Sequence, residues 1–136
     1  MRVVIDTYVL ISAIFWTGKP KQLLNQIRLG RLTFLTSEIL LAELKEILTR
    51  KDKPFGLSVE EAERVVAAMR DLAEVVEPQQ RLSICQDEED NRVLECAVEG
   101  RAEWIITGDR HLLNLKSFQG IPIVTVADLL GQREGA

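Results

Sequence analysis

Four short runs of β-branched and large apolar residues punctuate the chain: R-V-V-I-D at 2–6, L-T-F-L-T at 32–36, E-W-I-I-T at 103–107 and I-P-I-V-T at 121–125. The first is continuous rather than alternating, which is how a strand covered on both faces reads. Stretches of helical period separate the runs. Helices are expected over about 8–15 and about 20–29, the second stopping at Gly30, a residue type suited to a helix C-terminus. Ser37 is placed to cap a helix running to about Arg50, with Glu38 in its first turn where the helix dipole favours an acid. Lys53-Pro54-Phe55-Gly56 reads as a break. S-V-E-E at 58–61 is a capping box opening a long helix to about Val76, ended by Pro78. Further helices are expected from about Asp87 to Gly100 and over about 126–131. Strands alternating with helices predict an α/β three-layer sandwich, with a central, mainly parallel sheet and helices on both faces. The 136 residues fit one domain, spanning 1–136.

Composition narrows the class. No apolar run approaches the ~18 residues of a membrane span, and the N-terminus lacks the charged, apolar and small-residue sequence of a leader. The expectation is a cytoplasmic protein with no membrane partner. Cys85 and Cys96 suit a reducing compartment and form no metal motif. The net charge of −4 argues mildly against nucleic acid, but its distribution does not. Residues 19–31 hold four basic residues and no acid, Arg50, Lys51 and Lys53 form a second basic group, and 60–77 is the acidic counterweight. A solvated helix face explains each equally well.

The acids are more informative. Asp6 ends the first expected strand, and Asp109 follows the third after Gly108. If those strands are parallel, both carboxylates lie on the sheet edge where open α/β sheets place ligand sites. Simpler roles also exist: a helix N-cap for Asp6 and a turn residue for Asp109. In the helix from Asp87, the apolar positions Val93, Leu94 and Ala97 follow Asp90 by three, four and seven residues. Helical period therefore turns Asp90 inward, where a carboxylate needs a partner or a metal. Asp87 reads as the N-cap, and Glu88 and Glu89 as complements to the dipole. Glu43 borders the stripe of Leu40, Leu44, Ile47 and Leu48; it reaches either a cleft or a surface salt bridge.

Asp6, Glu43, Asp90 and Asp109 all point toward one sheet edge. Two like charges ~4 Å apart repel by roughly 4 kcal/mol at an effective dielectric of 20. A hard divalent cation relieves that repulsion, and Mg²⁺ or Mn²⁺ is the usual occupant of an all-oxygen site. Such a metal lowers the pKa of bound water and stabilises a phosphodiester's leaving oxygen. Setting the four aside leaves 17 acids facing 17 basic residues, a balance compatible with a phosphate backbone.

The segments V-V-I-D-T-Y-V-L-I-S-A, G-R-L-T-F-L-T-S-E-I-L-L-A-E-L-K-E-I-L, D-E-E-D-N-R-V-L-E-C-A, A-E-W-I-I-T-G-D-R-H-L-L and G-I-P-I-V-T occur in that order along nearly the whole chain. In order and spacing the chain resembles the PIN-domain nucleases, and more closely the VapC-like toxins of toxin–antitoxin pairs. The resemblance places the family's acidic quartet on Asp6, Glu43, Asp90 and Asp109, with Asp6, Asp90 and Asp109 as metal ligands. It implies Mg²⁺- or Mn²⁺-dependent endoribonuclease activity, homodimerisation, and an antitoxin whose tail can occupy the active-site groove. Thr107 matches a position that often carries a hydroxyl near the metal site. Asn91 fits the D-D-N variant of the third acidic motif and reads as first-turn polar surface. Lys19, Lys21 and Arg50 are the expected contacts to the nucleic acid.

One departure stands out. The family's usual D-T-N is here Asp6-Thr7-Tyr8. Tyr8 is larger and supplies no carboxamide, although its hydroxyl can hydrogen-bond. This motivates a second reading, a PIN fold with attenuated catalysis that still binds RNA or an antitoxin. His111, two residues after Asp109, reads as part of the turn into a short helix, with acid–base work as the alternative. A phosphoacceptor receiver domain fits poorly, because Asp6 has no acidic neighbour and Glu43 is in a helix.

Overall fold

Strand β1 (Arg2–Ile5) is the axis of the fold. The computed structural model describes residues 1–52 and 54–134, so Lys53, part of the expected basic group and break, lies outside the described residues. β1 pairs in parallel with β2 (Thr33–Thr36) on one side and β4 (Trp104–Ile106) on the other. β6 (Ile121–Val124) continues in parallel beside β4. Two-residue strands finish the edges: β3 (Glu74–Val75) runs parallel to β2, and β5 (Ser117–Phe118) antiparallel to β6. The sheet order is β3-β2-β1-β4-β6-β5.

Alternate residues of the strands face opposite layers, as the pleat requires. Val3, Ile5, Phe34 and Ile106 pack under α1 (Thr7–Phe15), α2 (Lys19–Arg28), α3 (Glu38–Thr49), α4 (Val59–Leu72) and α7 (Val126–Glu134). Val4, Leu35, Ile105 and Ile123 pack under α5 (Glu88–Glu99) and Leu112 of α6 (Arg110–Leu115). Both faces are therefore covered, which explains the continuous apolar runs of the inner strands. The result is the expected three-layer α/β sandwich with a mainly parallel sheet.

Local signals set the helix ends. Ser58 and Glu61 form the reciprocal capping box, Ser37 accepts from the Leu40 N–H, and Asp87 accepts from the Glu89 N–H. α4, however, stops at Leu72 rather than about Val76, because the outer edge of β2 takes up the next residues. Val75 lies opposite Thr36, the Val76 N–H donates to the Thr36 carbonyl at 2.8 Å, and Glu74 pairs with Arg2. Open backbone groups on an edge strand outweighed a weak local helix preference. β5 also went unread. It belongs to a two-residue hairpin whose central residues Gln119 and Gly120 both have positive φ, 49° and 81°. That turn usually announces itself as Asn-Gly or Asp-Gly, and Gln-Gly is a weaker signal.

Candidate active site

The β1–β4 register puts Ile5 beside Ile106, so the next residues, Asp6 and Thr107, leave the sheet together at its C-terminal edge. The Asp6 N–H donates to the Ile106 carbonyl at 2.9 Å, which fixes its backbone. Its Oδ1 accepts from the Tyr8 N–H at 2.9 Å and caps α1. Its Oδ2 accepts from the Thr107 hydroxyl at 2.7 Å. The Thr107 oxygen in turn accepts from the Asp109 N–H at 3.0 Å. Asp109 caps α6, with Oδ1 accepting from His111 and Leu112 N–H groups at 2.7 and 3.1 Å. The capping role expected of Asp6 is therefore real, and Asp109, expected as a turn residue, is a cap as well; in both, capping orients the side chain rather than competing with a place in the cleft.

Asp90 faces inward, 5% exposed, on the first turn of α5. Its Oδ2 is buried without a hydrogen-bond partner; among the described residues Arg92 Nε is the other such side-chain atom. Burial, then the neighbouring Asp109, Asp87 and Asp6 charges, push the Asp90 carboxyl up to about 6. Glu43 is half-buried on α3 and is pushed up to about 7, chiefly by burial. A hydrogen bond from Thr7 opposes that shift, and Glu89, Asp6 and Asp87 add to it. Burial also raises Asp6, against its bonds from Thr107 and Tyr8 and with the charge of Asp109. These mutual influences mean that the four acids named from the sequence share one region of the molecule. Asp87 and Glu89 enlarge the negative field, a contribution hidden in the sequence behind their capping and dipole roles. Thr7 is a further contributor that the sequence did not flag.

Among the described residues Glu43 forms no ion pair. The α3 pairs run instead through Glu38 to Arg70, Lys45 to Glu63 and Glu46 to Arg50. Tyr8 is 45% exposed and stands at the rim of the cleft rather than filling it. Burial raises its phenol, with Glu89, Glu43 and Asp6 acting in the same sense and Arg50 in the opposite one. The basic residues are dispersed: Lys19 is exposed at the start of α2, while Lys21 Nζ donates to the Ile14 carbonyl at 2.9 Å and closes the end of α1.

Beside Asp90, a cavity of about 400 Å³ is lined by Ile84, Cys85, Asp87, Asp90 and His111 among others. Its wall is held by polar contacts that sequence reasoning missed. Asn91 is completely buried, not surface: its carboxamide accepts from the Ile84 and Cys85 N–H groups at 3.0 and 2.7 Å and donates to the Cys85 carbonyl at 2.9 Å. Arg92 pairs with Glu95 at 3.0 Å, and both bind the Leu82 backbone. The inward stripe of α5 is thus wide enough to include Asn91, because the 82–85 segment covers a flank that an isolated helix would expose. A second concavity, about 390 Å³ between Ser37 and Arg81, contains none of the quartet.

Among the described residues, no three His, Cys, Asp or Glu side chains converge closely enough to enclose an ion by themselves. The donor chemistry nonetheless fits a hard cation. The orphaned Asp90 oxygen is unexplained by any protein partner, and the surrounding donors are all carboxylate or hydroxyl oxygens. Mg²⁺ characteristically takes one or two carboxylates and completes its sphere with water, which an open site permits.

A PIN domain family model matches residues 2–111. The chain belongs to the PIN domain family. The chain is also 30% identical over 118 residues to an uncharacterized protein of Methanocaldococcus jannaschii, covering 85% of this chain and 76% of that protein. In fold, this PIN domain is similar to a chain in the crystal structure of VapBC2 from Rickettsia felis bound to a DNA fragment from their promoter. That likeness has a TM-score of 0.64 and 15% identity, covering 92% of this chain and 98% of the other. Among the described residues no helix is long and apolar enough to cross a membrane.

Proposed function

We propose that this PIN domain is a metal-dependent endoribonuclease of toxin–antitoxin type. The observation that carries the reading is the buried, unpartnered Oδ2 of Asp90, beside Asp6 and Asp109 held on one sheet edge by Thr107. Family membership supports nuclease chemistry, and the VapBC2 likeness supports an antitoxin partner. Within this proposal homodimerisation is an expectation from the family, and a cytoplasmic setting an expectation from composition.

Asp6, Asp90 and Asp109 are the residues that would hold Mg²⁺ or Mn²⁺. When bound, such a cation supplies charge neutralisation at the phosphoryl oxygens and acidifies water at the site. The protein's own part is orientation and proton handling. Thr107 fixes Asp6 and Asp109 relative to each other, and Asp90 supplies negative charge from the opposite wall. Glu43, pushed up to about 7, has the proton affinity suited to accept a proton from attacking water near neutral pH. The α1 and α6 caps keep Asp6 and Asp109 from rotating away.

The test is cleavage of RNA with Mg²⁺ or Mn²⁺ by the native chain and by Asp6→Asn and Asp90→Asn. Both substitutions should reduce the rate by orders of magnitude. Undiminished cleavage by the two variants would overturn the assignment. The second reading, a catalytically attenuated binding module, rests on Tyr8. Its exposed position at the rim leaves the acids accessible, so the observation favours the active form.

A further inference from the structure

The solvent face of α1 leads away from the acidic cleft and is unusually aromatic for an exposed surface. Tyr8, Ser12 and Phe15 follow the i, i+4, i+7 spacing of a single helical stripe. Tyr8, at the cleft end, is 45% exposed, and Trp16, at the far end, is 50% exposed. Phe15 and Trp16 do not stand alone. Phe55 reaches them from beyond α3, with ring centroids 5.6 Å from Phe15 and 5.5 Å from Trp16. The Phe15 and Trp16 rings meet edge to face at 6.4 Å. Three aromatic rings are thus gathered and braced against one another while two of them stay open to water.

Cations favour the far end of this face. The Lys21 ammonium sits on the Ile14 carbonyl, next to Phe15, and Lys19 is exposed three residues beyond Trp16. At the cleft end the cation Arg50 is paired with Glu46, and the acids Glu89, Glu43 and Asp6 also act on the Tyr8 phenol. From Thr7 to Ser37 the chain contains no acid and four basic residues, in a molecule whose net charge is −4. Exposed rings on an acid-free, basic stretch of chain are what an unpaired nucleotide strand recognises: bases stack on the rings and phosphates approach the positive charge. Tyr8 and Phe15 are two helical turns apart, about 10 Å. That is roughly three base steps at the 3.4 Å spacing of a stacked strand. A double helix keeps its bases inside and cannot use such a surface.

We propose that the solvent face of α1 is a stacking track for single-stranded RNA, with Tyr8 taking a base next to the cleft and the Phe15–Trp16–Phe55 group taking a base upstream or downstream of it. The track rests on the nuclease reading only for its substrate class. It gives Tyr8 a role that a small carboxamide residue could not fill.

The experiment measures binding without cleavage, in EDTA, using the full chain. Fluorescence anisotropy with labelled oligoadenylate is compared with the same strand annealed to oligouridylate. The native chain should prefer the single strand, and Trp16→Ala and Tyr8→Ala should each weaken it by about tenfold or more. Trp16→Leu keeps an apolar side chain but no ring, so it should lose binding as Trp16→Ala does, while Tyr8→Phe should retain it. In a Trp104→Phe background, the single strand should quench Trp16 fluorescence and the duplex should not. Unchanged binding in the Trp16 and Tyr8 variants would overturn the track, as would full retention by Trp16→Leu. Conversion of a native dimer to monomers by Trp16→Ala, read by sedimentation, would also overturn it, by making the patch a subunit contact. The two readings fail separately. Cleavage that survives the α1 variants with native KM leaves the nuclease standing and removes the track, whereas ring-dependent binding without any cleavage removes the nuclease and leaves the track.

Discussion

Thr107 donates its hydroxyl to Asp6 Oδ2 at 2.7 Å while accepting the Asp109 N–H at 3.0 Å, so one buried oxygen couples residues 103 positions apart in sequence. Thr107→Val keeps the shape and deletes both bonds. A buried polar group left without its partner costs about 1–3 kcal/mol, so urea unfolding should show a loss of that order. RNA cleavage should fall further than stability alone explains, because Asp6 loses its orientation. Thr107→Ser should preserve most of both. Equal cleavage by the Val and native proteins under fully folded conditions would remove the positioning role.

The raised carboxyls set a pH dependence for the metal-free protein. Asp90 moves from 3.8 to about 6 and Glu43 from 4.5 to about 7 on folding, so between these limits the folded state binds more protons than the unfolded one. Stability then declines as pH rises through that window. Melting in EDTA should give a lower Tm near pH 7.5 than near pH 5. Mn²⁺ should raise Tm more at the higher pH, where it no longer competes with protons. A Tm that rises across the window without metal would contradict the buried-acid account.

The strands of the inner sheet and the inward Asp90 were legible because both depend on periodicity, which survives folding unchanged. The convergence of Asp6 and Asp109 was legible because parallel strands end at one edge. Asn91 was not, since its burial depends on residues 82–85 folding across α5, a contact between segments with no shared period. The same holds for the Arg92–Glu95 pair, whose ordinary i,i+3 spacing says nothing of its burial. Glu43 lay between these cases. Its position on the stripe border was visible, but only the Thr7 contact and the absence of an ion pair among the described residues separate cleft from surface. β3 and β5 escaped because two-residue strands are selected by the edges they join, not by their own composition.

Asp90→Asn should separate stability from function. Removing a buried charge that faces Asp109, Asp87 and Asp6 relieves repulsion in the metal-free state. At neutral pH the variant should gain on the order of 1 kcal/mol in denaturant unfolding. The same change should remove most of the Mn²⁺-induced rise in Tm. A destabilised variant that keeps the full Mn²⁺ response would show that Asp90 serves packing alone.

Asn91→Ala tests the wall of the cavity beside Asp90. The substitution deletes three hydrogen bonds to the backbone of Ile84 and Cys85 and leaves two N–H groups facing a void. The expected cost is about 2–4 kcal/mol, more than a surface asparagine would show. The loss should be local first. Hydrogen exchange should accelerate at Ile84 and Cys85 before it does in β1 or β4, because the 82–85 segment otherwise hangs on the Leu82 contacts to Arg92 and Glu95. Asn91→Asp should be no rescue, since a carboxylate cannot donate to the Cys85 carbonyl and adds charge beside Asp90. Exchange rates at residues 84–85 unchanged from native would mean that the segment is held by something other than Asn91.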